Sequence, residues 1–209
     1  MRELIKMVVV LVVLSAFSGG LLASLRDSTK DRIEYQQLKF VKGPAIIKIL
    51  EGATNNPIVD RFKIKDGDVE RSFFVGKFNG KKDEVAFESF GKGFGGDIGL
   101  MVGVNPNTDK IVGVGVTTSS ETPGVGSRAK TDPDFVAQFA GKPMIETFKV
   151  KADGGNVDAL SGATVTSRGV ASGVTDAGLI YKRLKPQLIE KLKEFSKKAV
   201  KTKQGDQNG

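Results

Sequence analysis

The 209-residue chain contains no cysteine, no histidine and no tryptophan, and only two tyrosines. Without thiolates or imidazoles it lacks the ligands on which zinc, copper, haem and iron–sulfur sites draw. The same absences remove disulfides, a cysteine nucleophile and any Ser-His-Asp relay. If the chain performs redox chemistry, an organic cofactor has to carry it. Positive charge is what the chain has in excess: 32 Lys and Arg against 24 Asp and Glu, a net +8. Many of those lysines fall between Lys182 and Lys203, on the polar side of one helical pattern, with no nucleic-acid motif and no interleaved aromatics. They read as a solvated face, with anionic membrane lipid a lesser partner and no nucleic acid expected.

The N-terminus runs MRELIK and then an uncharged stretch from Met7 to Leu25. At about 1.5 Å per residue such a stretch spans roughly 28 Å, close to the ~30 Å hydrocarbon core of a bilayer. One transmembrane helix is the leading reading. A cleavable signal peptide is the competitor, because Ala16-Phe17-Ser18 places small residues where a peptidase could cut. The apolar run continues past Gly19-Gly20 through Leu21 and Leu22, which favours the anchor. Arg2 and Lys6 mark the cytoplasmic end, so the remainder is expected outside a prokaryotic cytoplasmic (inner) membrane, as a single-pass protein.

The chain is read as a membrane anchor over 1–26, juxtamembrane helices over 27–57, a main domain over 58–196 and a basic polar tail over 197–209. Within 27–57, Ile33, Leu38, Val41, Ile46, Ile47 and Leu50 recur at helical spacing around Gly43-Pro44, which predicts two short helices. Val69–Phe78, Asn79-Gly80 and Glu84–Phe90 form a hairpin signal. Strands are expected at Ile98–Val104 and Ile111–Thr117, and a short helix over Thr131–Phe139 with Asp132 and Pro133 at its start. A final helix is expected after Thr166, because Val170, Val174, Ala177, Tyr181, Leu184, Leu188, Leu192 and Phe195 form one apolar stripe. Pro186 should kink or divide it. The fold class is α+β: a meander of at least four antiparallel strands, covered on one face by helices and preceded by one N-terminal transmembrane helix.

Three segments invite a chemical reading. Gly91, Gly93 and Gly96 match G-x-G-x-x-G by spacing, but a strand pattern follows where a dinucleotide site needs a helix, so the glycines are read as allowing two backbones to approach closely or as permitting a bulge beside a flat ligand. In Ser119–Arg128, Thr122-Pro123-Gly124-Val125 is a type II turn signal; taken alone the segment reads as a plain loop, and the functional alternative would place Glu121 and Thr122 at the rim of a pocket. The segment Asp158–Gly169 gathers Ser161, Gly162, Ala163, Thr164, Thr166 and Ser167 just before the final helix. Small residues and N–H donors at a helix N-terminus suit a phosphate group. Helix capping is the plainer alternative, although four hydroxyls exceed what one cap requires.

Asp158-Ala159-Leu160-Ser161-Gly162-Ala163-Thr164 resembles the flavinylation motif D-x-x-[S/T]-G-A-T of the FMN-binding domain family, and Glu121-Thr122-Pro123-Gly124 resembles the second signature of that family. The family includes the C subunit of the sodium-pumping NADH:quinone reductase and the G subunit of the Rnf electron-transport complex. The motif order behind one N-terminal span is most similar to the Rnf G group. The resemblance implies an electron-relay subunit with FMN held covalently, through its phosphate, on Thr164. A separate flavin transferase would install it from FAD with Mg²⁺, and Asp158 would matter for that modification. Ser161, Gly162, Ala163 and Thr166 would complete the cofactor site, with Glu121, Thr122, Gly124 and Val125 nearby. No catalytic residue and no metal site are implied, and the chain has no complete active site of its own. The implied partners are the other subunits of a complex coupling ferredoxin/NAD electron transfer to Na⁺ or H⁺ translocation. Relatives often carry a His two residues before the Glu of the second signature, where this chain has Ser119. The alternatives are an FMN domain serving another extracytoplasmic electron-transfer or regulatory system, or a non-redox, membrane-tethered interaction domain.

Overall fold

The computed structural model describes residues 1–79 and 83–205. The chain divides into two compact units, Met1–Phe40 and Val41–Gly209. The first is dominated by α1 (Arg2–Gln36), whose aliphatic side chains are all exposed. Its stretch Arg2–Lys30 is long and apolar enough to cross a membrane. A π-helical turn at Gln37–Lys42 follows, and then α2 (Gly43–Ile49), which has proline in its first turn where no N–H is needed. The first of the two expected short helices is therefore not separate. It continues the apolar helix, because nothing between Arg26 and Gln36 breaks helical geometry.

The second unit is built on a five-stranded antiparallel meander in chain order: β1 (Arg61–Asp66), β2 (Val69–Gly76), β3 (Glu84–Lys92), β4 (Asp97–Asn105) and β5 (Lys110–Thr118). The hairpin and the two later strands fall where alternation places them. The turn between β2 and β3 includes Gly80, which lies outside the described residues, as do residues 206–209 of the tail. The first strand is additional to the four expected, although Asp66-Gly67 is a turn dipeptide: Asp66 pairs with Val69 around Gly67, whose φ is 64°.

Helices cover both faces of the sheet, not one. On one face lies α5 (Thr164–Gly205), whose Val170, Val174, Ala177, Tyr181, Leu184 and Leu188 are buried in one core with Phe73, Phe87, Leu100 and Val102. Burying side chains of this size stabilises by about 1.5–3 kcal/mol each relative to exposure. On the other face α2 lies over β4 and β5, where Gly103, Gly113 and Gly115 clear the space filled by Ile49 and Ala45. Two short helices, α3 (Arg128–Thr131) and α4 (Pro133–Ala137), follow β5. Asp132 caps the latter, accepting from the N–H groups of Asp134 and Phe135 at 3.1 and 3.4 Å.

The final helix starts at Thr164, inside the hydroxyl-rich segment, and runs through Pro186 undivided. Pro186 and Lys182, whose carbonyl loses its helical donor, both lie on the exposed side, while Leu184 and Leu188 hold the helix to the core. Mid-helix, Asp109 accepts from the Tyr181 hydroxyl at 2.5 Å and from Lys185 at 2.7 Å. These donors hold the Asp109 carboxyl below its ordinary value, and burial beside that carboxylate pushes the Tyr181 phenol up.

Candidate functional site

The position of α5 is set by backbone contact with the sheet. A Cβ on Gly91 of β3 would collide with the carbonyl of Gly169, and one on Gly173 would collide with the backbone of Phe90 and Gly91. Ser89, fully buried beside them, donates from its hydroxyl to the Gly173 carbonyl at 2.8 Å. Close backbone approach, one of the readings open for the glycine-rich segment, is what the helix and strand make. The remaining glycines form the tip of the β3–β4 hairpin, closed by a 2.8 Å bond from Gly93 N–H to the Gly96 carbonyl.

That tip folds over Glu121. The turn signal puts Glu121 at a pocket rim, yet its side chain points inward and is 7% exposed. One carboxylate oxygen accepts the Gly95 N–H at 2.8 Å, and the other accepts the Thr166 hydroxyl at 2.5 Å. Space for the carboxylate comes from Gly93 and Gly126, where a Cβ would strike Glu121 or Thr166, and a Cβ on Gly95 would strike the Ser120 carbonyl. Beyond it the expected turn forms: Val125 N–H bonds to the Thr122 carbonyl at 3.2 Å, with Gly124 at φ 73°. Thr122, Gly124 and Val125 stand exposed on that turn.

The hydroxyl-rich segment divides by role. Ser167 is fully buried: its Oγ donates to the Ala163 carbonyl and accepts from Leu160 N–H, both at 2.9 Å. With Thr166 committed to Glu121, two of the four hydroxyls are structural. Ser161 and Thr164 have no hydrogen-bond partner among the described residues. Ser161-Gly162 forms a tight turn, closed by a 2.9 Å bond from Ala163 N–H to the Leu160 carbonyl with Gly162 at φ 77°. Ala163 is buried behind it, and half-buried Thr164 opens the helix. The first N–H groups of a helix lack partners within it, so Thr164 stands where the helix offers donors and a partial positive charge.

Asp158 is not drawn into this cluster. Its carboxylate is exposed and paired with Lys151 at 2.7 Å. Its backbone is clamped by the Gln138 amide, which accepts from Asp158 N–H at 2.7 Å and donates to the Asp158 carbonyl at 3.2 Å. Elsewhere on the first turns of α5, Arg168 grips Asp153 through two 2.7 Å bonds, which hold the Asp153 carboxyl below its ordinary value. A cavity of about 370 Å³ lies between the Asp158 loop and the short helices, lined by Arg128, Asp132, Gln138, Asp158, Leu160 and Ser161. The sequence does not single out Gly95, Gly126 or Gln138. Their signals are weak, since a lone glycine or glutamine in a loop carries no spacing of its own.

Residues 93–178 match the family profile described as FMN-binding domain. The chain is 32% identical over 178 residues to the G subunit of the ion-translocating oxidoreductase complex of Methanosarcina acetivorans, covering 84% of this chain and 93% of that one. This chain belongs to the family of G subunits of ion-translocating oxidoreductase complexes. The Escherichia coli K12 member is 30% identical over 193 residues, covering 87% and 93% of the two chains. In fold, the chain is similar to the C subunit of the Na⁺-translocating NADH-quinone reductase from Parabacteroides distasonis, with a TM-score of 0.52 and 22% identity over 71% of this chain and 94% of that one. The family profile thus begins at the hairpin tip over Glu121 and ends within α5, enclosing Glu121, Asp158 and the Ser161–Ser167 segment.

Proposed function

We propose that this chain is a membrane-anchored flavoprotein subunit that relays electrons through FMN esterified to Thr164, within a complex of the Rnf type. The supporting observation is Thr164 itself. It ends a D-x-x-S-G-A-T segment, opens a long helix, and has a hydroxyl with no partner among the described residues. The residues fit the group. Gly162 has open space beside it, and the N–H groups of Thr164, Val165 and Thr166, which lack partners within the helix, would serve a phosphate held on Thr164 Oγ. A threonine hydroxyl is a weak nucleophile at its own pKa, so attachment needs an external flavin transferase. In that step the Thr164 oxygen bonds to the FMN phosphorus of FAD, the pyrophosphate bond breaks, AMP leaves, and the hydroxyl proton passes to a base of the transferase. Once bound, the flavin supplies one-electron chemistry; the protein supplies position and field.

The reading extends to location and partners. The span in α1 holds the chain in the cytoplasmic membrane, with Arg2 and Lys6 inside and the flavin domain on the extracytoplasmic side. It contains no ionisable residue from Met7 to Leu25, so ion translocation belongs to other subunits. Ferredoxin and NAD react elsewhere in the complex, and any iron–sulfur or haem step is supplied by a partner. The experiment is co-expression with a flavin transferase, denaturation in SDS, and in-gel flavin fluorescence with intact mass. One FMN phosphoester is expected. Flavin stripped by SDS, or retained by Thr164→Ala, overturns the reading. Co-purification of other Rnf-type subunits in mild detergent tests the complex.

A further inference from the structure

One cation interrupts the start of α5. Arg168 stands four residues after Thr164, and no other Lys or Arg occurs in that helix before Lys182. A helix N-terminus carries a partial positive charge, so a cation close to it is unfavourable unless an anion answers it. Asp153 is the anion present: its carboxylate accepts from Arg168 Nε and Nη2, both at 2.7 Å. That carboxylate is shared, because Arg168 chiefly, and Lys149 with it, hold it below its ordinary value. Lys151 is committed to Asp158 at 2.7 Å. Among the charged groups tied to these two carboxylates, Arg168, Lys149 and Lys151 therefore leave one positive charge in excess. The guanidinium itself is only partly engaged. Of its five N–H donors, Asp153 takes two, the side chain is half-exposed, and the other three have no partner among the described residues.

We propose that Arg168 binds the phosphodiester joining FMN to Thr164, using the donors that Asp153 leaves free. The inference rests on the assignment of Thr164 as the attachment point. Residues four apart share one side of a helix, with Cβ atoms about 5–6 Å apart, and helical side chains lean toward the N-terminus. The Arg168 guanidinium is therefore within reach of a group carried on Thr164 Oγ. After esterification the phosphate is a diester, whose two non-bridging oxygens share one negative charge and match a planar guanidinium. That charge offsets the excess cation and suits the helix start, so one group answers both. Asp153 acts as a positioning residue: by taking Nε and Nη2 it restrains the guanidinium and leaves Nη1 free. A plain surface tie between loop and helix makes a different statement. In that case Arg168 and Asp153 matter equally, and loading with flavin changes the worth of neither.

The test uses the full chain in detergent, with and without loading by a flavin transferase. The change in melting midpoint on loading should be about 2–4 °C less favourable in Arg168→Gln than in the parent at low ionic strength, and this difference should shrink at high salt. Arg168→Lys should recover part of it. Asp153→Asn breaks the same tie but keeps the cation, so its midpoint change on loading should be at least as favourable as that of the parent. The phosphorus NMR resonance of the loaded chain should differ between parent and Arg168→Gln in the folded state and coincide in SDS. Equal loading changes in parent and Arg168→Gln, equal deficits in Arg168→Gln and Asp153→Asn, or a parent loading change indifferent to salt overturns the contact. In each of those cases SDS-resistant flavin leaves the attachment standing. A parent chain that takes up no covalent flavin overturns both.

Discussion

The two carboxylates that flank the first turn of α5 are treated in opposite ways. Glu121 is buried, spends both oxygens on internal donors and is surrounded by glycines. Asp158 stands in solvent, paired only with an exposed lysine. Burial makes the first a fixture, because removing it strands the buried Thr166 hydroxyl away from water. Exposure leaves the second replaceable at little cost to the fold, since surface ion pairs contribute about 0–1 kcal/mol. The site thus has a rigid inner side at Glu121 and an exposed outer side at Asp158.

Substitutions separate the two sides. The largest loss of stability is expected from Gly91→Ala, where the new Cβ meets backbone and not a flexible side chain; about 3 kcal/mol or more is expected, read by urea denaturation. Glu121→Ala should cost about 2–3 kcal/mol by the same measurement, and more than Asp158→Ala by a clear margin. Similar losses for both would erase the distinction. Asp158→Ala should move stability by about 0.5 kcal/mol or less while sharply reducing SDS-resistant flavin. Thr164→Ala should be as mild in stability and should abolish the flavin. The smallest effect is one of pH. Arg168 holds the folded Asp153 carboxyl below its ordinary value of 3.8, so this pair's contribution is complete above that pH and fades as pH falls toward the depressed folded value. The difference in melting midpoint between the parent and Asp153→Asn should accordingly close as the solution is acidified below the ordinary value.

Much of the outer side is legible in the sequence, and little of the inner side is. The motif at Asp158–Thr164 and the turn at Thr122–Val125 depend on local chemistry, where a dipeptide or a short spacing carries the geometry. The strands from Val69 onward are legible because alternation reports a half-buried surface. The burial of Glu121 is not, since it follows from glycines in two separate loops, Gly93 and Gly95 in one and Gly126 in the other, that converge only in space. The second covered face escapes the sequence for the same reason. Gly103, Gly113 and Gly115 carry no pattern until α2 is laid upon them. The undivided α5 shows tertiary packing overriding a local breaker, as Leu184 and Leu188 hold both sides of Pro186.

The contact of Gly91 with Gly169 has a mechanical consequence. Two backbones that touch have no rotamers to relax, so the helix can neither slide nor roll at that point without lifting from the sheet. Thr164 lies about five residues ahead of that fulcrum, at the end of a lever of little more than one helical turn. Swing of a tethered group must then come from the bonds of the tether and not from the helix. In the arrangement proposed for Thr164, the reach of an electron from this subunit to its neighbours is governed by the torsions of one phosphoester arm.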